Sequence, residues 1–482
     1  MDTSCQIGVA PMPLRMDSIR EHAACLRLEV CSGKVAHLPD SELMMKSFFL
    51  LLFGLLLASG GVDAQLRAFV GAHIIPIDGP EIADGVLLIE DDRIRAVGAR
   101  DSVRIPDSAE RIELEPGTVV LPGLVDTHSH VGEVSGGDRS GPIQPDARAL
   151  DSIDVRSSGL RRALAGGITT VNVMPGSGHL ISGQTIYLKL REGRTAQDLA
   201  YRFDDGTPAG GLKMANGTNS MRDAPFPGTR AKSAALVRAK YIKAQEYRDK
   251  LAAAHKDSDR PARDLGLEAL VEVLSGKRMV HFHSHRHDDL ITAIRLRDEF
   301  GFRMVLHHTS EAWRVADEIA AAGVPVSLIG IDSPGGKLEA LNLLADSAPA
   351  LERAGAKVAF HTDDWITDSR YFLRMAAFGV RAGMSREAAL RSLTQAGADM
   401  LDLGDRVGSL TPGKDADFVI LSGDPFSVRT RVLETWVEGQ RSFDLDDPDD
   451  RLIAEGGFNA LTPTDGAGHL HGAGPHQGAH GQ

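Results

Sequence analysis

Several of the eighteen histidines in this 482-residue chain fall in groups whose spacing suits metal binding. His128 and His130 stand two apart in LPGLVDTHSHVG. His281, His283, His285 and His287 take every second position of MVHFHSHRHDDL. His307 and His308 close FRMVLHH, and HTDD spans 361 to 364. Strand side chains alternate between faces, so a two-residue spacing turns both imidazoles to one side, within reach of one ion. Each group lies where an apolar, strand-like run gives way to a loop, which ordinary core packing does not explain. The implied chemistry is a divalent cation held by imidazole and carboxylate, with a position left for water whose pKa the cation lowers.

The elements that must position these groups follow from the pattern. Residues 66 to 120 alternate in short runs broken by Gly, Pro and Asp, as strands and hairpins do. From Leu124 onward, short apolar runs alternate with helical stretches, which predicts a parallel α/β fold, most simply a (β/α)₈ TIM-like barrel. Such a barrel carries its active site at the C-terminal strand ends. Strand-like sequence returns after Arg406, so both ends of the chain are expected to build one small composite β-sandwich domain. The expected organisation is a β-domain from 65–121 and 406–445 around a barrel at 122–405. Residues 229 to 256 predict a helix with a solvated Lys- and Arg-rich face.

Composition narrows the function. A net charge of −13 without a long basic stripe disfavours a nucleic-acid partner. Residues 44–64 have the layout of a secretory signal peptide: a lysine, an apolar run from Phe48 to Ala58, then Val62-Asp63-Ala64. The run is too short for a stable membrane span. Residues 1–43 then read as a spurious leader with Met44 or Met45 as the true start, or else as part of an anchored form. Secretion, to the periplasm, is the expected localisation. Cys5, Cys25 and Cys31 all precede the expected cleavage point, so metal ligands in the mature chain must be His, Asp, Glu or Lys. Residues 446–482 are expected to be a disordered His-rich tail. Its His469, His471, His476 and His480 are either weak zinc, copper or nickel ligands or without function.

PGLVDTHSH (122–130), GGITTVNVMPGS (166–177), HSHRHDDL (283–290), VLHHTSEAW (305–313), FHTDD (360–364) and GSLTPGKDADFVIL (408–421) together resemble the metal-dependent amidohydrolase superfamily, in its imidazolonepropionase-like and prolidase-like branch. The resemblance implies His128 and His130 as the strand-one metal ligands, and His283 and His308 as those of strands five and six. It implies Asp363 as a strand-eight ligand that also moves the proton. Lys213, in GGLKMANGTN, matches the strand-four lysine that binuclear members carbamylate to bridge two ions. The other reading of Lys213 is a lysine snorkelling from a strand edge, and Lys189 is a weaker candidate for the bridging role. The cofactor is therefore one or two divalent ions, zinc first, with carbamylated Lys213 if two.

At about 3.3 Å per residue, an extended strand would separate His281 from His287 by roughly 20 Å. His281 is then expected deep in the barrel, and His285 and His287 at the lip. His283 is the expected strand-five ligand, with His285 the alternative. His285, Arg286 and His287 become candidates for holding substrate, Arg286 by gripping a carboxylate. His361 and Asp364, flanking Asp363, are further candidates for substrate contact or for tuning its position.

The expected activity is metal-dependent hydrolysis of a C–N bond in a cyclic amide, small peptide or acyl amino acid. The partner is thus a small-molecule amide or peptide, and self-association is left open. A deaminase on the same scaffold is the nearest rival. Family deaminases carry a glutamate three residues after the strand-five histidine, where this chain has Arg286. A non-catalytic envelope metal-binding protein is a third reading, which the presence of Asp363 disfavours.

Overall fold

The computed structural model describes residues 65–457, apart from 133, 135, 136, 139, 332–336 and 365. The expected leader, signal peptide and tail histidines lie outside the described residues. No helix among the described residues is long and apolar enough to cross a membrane.

Alternating apolar runs at the start of the chain form β1 (Leu66–Ile74), β2 (Ile82–Glu90), β3 (Arg93–Ala99), β4 (Glu110–Glu113) and β5 (Val119–Pro122). The barrel strands are β6 (Leu124–Ser129), β7 (Ile168–Val173), β8 (Ile181–Gln184), β9 (Ile186–Lys189), β10 (Leu212–Ala215), β11 (Val280–Ser284), β12 (Met304–His308), β13 (Val326–Ile329) and β14 (Val358–His361). Three strands near the C-terminal end, β15 (Phe418–Leu421), β16 (Val432–Val437) and β17 (Gln440–Asp444), join the first five. They form one eight-stranded sheet in the order β17-β16-β15-β5-β1-β2-β3, with β4 on β1. Both ends of the chain thus build one composite β-domain, as a single continuous sheet. Phe69, Phe418 and Trp436 pack ring against ring in its interior, with centroids 4.8 to 5.5 Å apart.

The barrel has the expected (β/α)₈ class with one irregular strand. β10 to β14 pair in parallel, as do β6 and β7. Around the end of β14, backbone bonds Asp363 N–H to His128 O (2.9 Å) and His130 N–H to Asp364 O (3.0 Å) join it to β6. The third position, β8 and β9 interrupted at Thr185, runs antiparallel to both neighbours. The expectation of a wholly parallel barrel fails there, because the chain turns back from β7 to β8 over residues 174–180 without a crossover helix. Gly210 and Gly211 admit β10 to this crowded position. A Cβ on Gly210 would strike Thr185 O, and one on Gly211 would strike His281.

The charged segment forms the helix Arg230–Ala253, which buries Ser233, Val237, Tyr241, Ala244 and Tyr247 along one stripe. The expected disordered tail begins too early at 446. Pro448–Glu455 is a helix capped by Asp447 and anchored by buried Ile453, with Arg370 bonded to the carbonyl oxygens of Ile453 and Gly456.

Candidate metal centre

Strand β6 carries His128 and His130 to the C-terminal end of the barrel, as the spacing predicts. Asp363 follows β14 with φ near 51°, a left-handed conformation uncommon for a non-glycine residue, and His308 and Thr309 share it at 69° and 48°. Such conformations cluster where surrounding structure holds a functional geometry. Asp363 Oδ1 lies 2.9 Å from His130 Nε2 and 3.3 Å from His128 Nε2. His130 Nδ1 is 2.7 Å from the Met174 carbonyl oxygen, an acceptor that requires the proton on Nδ1. His130 Nε2 and Asp363 Oδ1 thus face each other, two donors between which a divalent cation would sit. Burial raises the Asp363 pKa, but the His130 hydrogen bond and nearby charge outweigh this and keep it below the ordinary value. Buried Asp126, pushed up to about 7 by desolvation, accepts from the backbone N–H of His128 and of Thr362, fixing strand one against strand eight.

A second group gathers His283, His285 and His308. One ring nitrogen from each lies within 4.8 Å of the others, as in the His128, His130 and Asp363 group. Both nitrogens of His283, Nε2 of His285 and Nε2 of His308 are buried with no hydrogen-bond partner. Each such orphan costs about 1–3 kcal/mol unless something fills the gap. Burial depresses the pKa of all three, His285 to about 3 and the others well below the ordinary value, so they are neutral donors at working pH. Buried, neutral, convergent imidazoles and one ionised carboxylate fit a divalent cation.

Lys213, on the fourth barrel position, is completely buried, so the snorkelling reading does not hold. Its Nζ contacts His128 Nε2 at 2.9 Å and Met174 Sδ at 3.0 Å. Burial brings its pKa down to about 7, with Asp363 opposing the shift from a distance. Lys189 is no alternative. It too is buried, but it pairs with Asp415, with Asp417 at 2.9 Å and with Glu438 at 3.6 Å, tying the barrel to the β-domain.

The four alternating histidines do not share one strand. β11 ends at Ser284, and a helix opens at His287. His281 lies deep, as expected, bonded to Tyr187 Oη and His307 Nε2 at 3.0 Å each. His285 is only 6% exposed and belongs with His283 and His308, not at the lip. His287 is the exposed one and bonds Glu311 at 2.6 Å. Arg286 is not free for a carboxylate, since Asp288 holds it through bonds of 3.0 and 2.8 Å. His361 and Asp364 also fail as substrate contacts, because both are buried and engaged. His361 spans Ser327 Oγ (2.7 Å) and His308 Nδ1 (3.2 Å), whereas Asp364 accepts from Ser369 and faces Arg162 at 3.9 Å.

Lys337 escapes sequence reasoning. It follows β13 on a segment pinned on two sides: Glu339 accepts from Thr218 N–H at 2.8 Å, and Asn342 O accepts from Trp313 Nε1 at 3.2 Å. Its charge acts on His285, His283 and Lys213. The only signal in the sequence is a lone cation after two glycines at 335–336.

Comparison with known proteins gives this architecture its class. The Amidohydrolase family profile matches residues 119–448, and the chain belongs to that family. That family is one of metal-dependent hydrolases acting on carbon–nitrogen bonds. A crystal structure of an amidohydrolase from Thermotoga maritima MSB8 is 32% identical with a TM-score of 0.73, covering 78% of this chain and 100% of that one. Amidohydrolase tasK of Hapsidospora irregularis is 28% identical over 75% of this chain, but the match covers only 40% of tasK. An imidazolonepropionase of Micrococcus luteus is 26% identical over 71% of this chain and 89% of its own length.

Proposed function

We propose that this protein hydrolyses the C–N bond of a small cyclic amide, dipeptide or acyl amino acid, with zinc as the best match to its donors. The observation that carries this reading is the ionised Asp363 carboxylate, held in a left-handed turn 2.9 Å from His130 Nε2 and 3.3 Å from His128 Nε2. His128, His130, Asp363, His283 and His308 would hold the ions. When bound, a divalent cation supplies Lewis acidity, acidifying water and polarising a carbonyl.

The remaining chemistry belongs to the chain. Asp363 accepts the proton of the attacking water and delivers it to the leaving nitrogen. The Met174 carbonyl fixes the ring of His130, and His361 fixes that of His308. Lys213 is suited to carry a carbamate. A pKa near 7 leaves about half of it as neutral amine at neutral pH, against roughly one part in two thousand for an ordinary lysine. The amine nitrogen then bonds CO₂ and releases a proton, placing two carboxylate-like oxygens beside His128. Similarity to an imidazolonepropionase supports a cyclic amide as one substrate class. The deaminase alternative lacks its glutamate, since Arg286 stands there, bound to Asp288.

The test is C–N bond cleavage, read by product mass, across a panel of cyclic amides, dipeptides and N-acyl amino acids, using protein stripped by chelation and then reloaded with Zn²⁺ or Mn²⁺. Turnover is expected only after reloading. Ammonia released from amino-heterocycles, with no amide cleaved, would instead favour the deaminase.

A further inference from the structure

We infer that His285 is a metal ligand, so that His283, His285 and His308 form a three-imidazole site that binds its ion without help from Lys213. The inference rests on the metal-dependent reading above and adds to it the composition of the second site. His285 Nδ1 is 2.7 Å from Ser310 Oγ, which locks the ring and leaves Nε2 as its free donor. That Nε2 is buried and without a partner, as are both nitrogens of His283 and Nε2 of His308. The rings close around one space: His283 lies edge-on to His285 at 4.7 Å and to His308 at 4.3 Å, and His285 stacks on His308 at 5.1 Å.

A residue that merely held substrate would be expected to reach the mouth. His285 does not, being only 6% exposed with its backbone bonded to Glu311 N–H. The group of donors around Asp363 meets this one at His308, whose Nδ1 is 3.9 Å from Asp363 Oδ2 and whose ring lies 4.7 Å from that of His128. Lys213 Nζ bonds within the Asp363 side, to His128. Three imidazoles plus an open position are a sufficient ligand set for zinc. The carbamate, where present, then bridges two ions but is not needed to retain the second.

The test is metal content and affinity, by elemental mass spectrometry and chelator competition with Zn²⁺. The protein is the full chain carrying His469→Ser, His471→Ser, His476→Ser and His480→Ser, so that the tail cannot contribute. Two ions are expected in this background and in Lys213→Ala, and one in His285→Ala, with second-site affinity down by more than about 100-fold. Ser310→Ala, which keeps every ligand, should weaken only the second ion, by roughly 10–100-fold, and guards against misfolding of the histidine variant. Two equally tight ions in both His285→Ala and Ser310→Ala would overturn the inference and leave the metal-dependent reading intact. Loss of the second ion in Lys213→Ala, or a single ion in the parent, would also overturn it. No ion in the parent would overturn both.

Discussion

Lys189 and Lys213 sit on consecutive barrel strands, and both are completely buried, yet their surroundings make them opposite kinds of group. Around Lys189 stand Asp415, Asp417 and Glu438. Burial opposes its charge, but Asp417, Tyr201 and Asp415 outweigh this and hold its pKa above the ordinary value. Lys213 has a histidine and a thioether as its hydrogen-bond neighbours, and burial brings it to about 7. Counter-ions make the first a fixed cation joining two domains. With no carboxylate in contact, burial brings the second within reach of the neutral amine at neutral pH.

The largest effect is expected at Lys189. Lys189→Met leaves buried Asp417 without its cation, while Asp415 keeps Arg93 and Arg406 and Glu438 keeps Arg191, and should destabilise the fold by about 3–5 kcal/mol in chemical denaturation. An effect below about 1 kcal/mol would contradict the ion-pair reading.

Lys213 should show its character in the pH dependence of stability in metal-free, CO₂-free buffer. Its folded pKa is about 7 and its unfolded pKa about 10.4. Between these values the unfolded chain binds the extra proton, so stability rises with pH across that window and flattens below 7. Lys213→Met should remove this slope while leaving the metal-free protein at least as stable at pH 7. A slope that survives the substitution would assign it to another group.

The smallest expected effect is at Lys337, the cation that bears on His285 and His283 from a neighbouring segment. If it meets a substrate carboxylate, Lys337→Met should raise KM about tenfold for carboxylate substrates with kcat nearly unchanged. The matching C-terminal amides should be unaffected. Equal effects on acids and amides would show that it serves another purpose.

Much of the centre was legible because short-range geometry decides it. His128 and His130 needed only a strand ending at the right place, and Lys213, His283, His308 and Asp363 each fall at a barrel strand or its end. What was misread depended on where regular structure stops. Alternation put His285 and His287 at the lip of a long strand. β11 instead ends at Ser284, so one turns inward and the other opens a helix. The reversed β8 and β9 look like any other apolar run, because strand direction leaves no mark on local composition. The partners of Lys189 lie more than two hundred residues away, and no local pattern announces them.

The proposed role of Asp363 is to move protons at a metal centre. Turnover and metal content measured together on Asp363→Asn test it most directly. The histidine-held metal should be retained while kcat on a substrate from the panel falls about 10²–10⁴-fold. Wild-type turnover in a protein that has lost its carboxylate would contradict it.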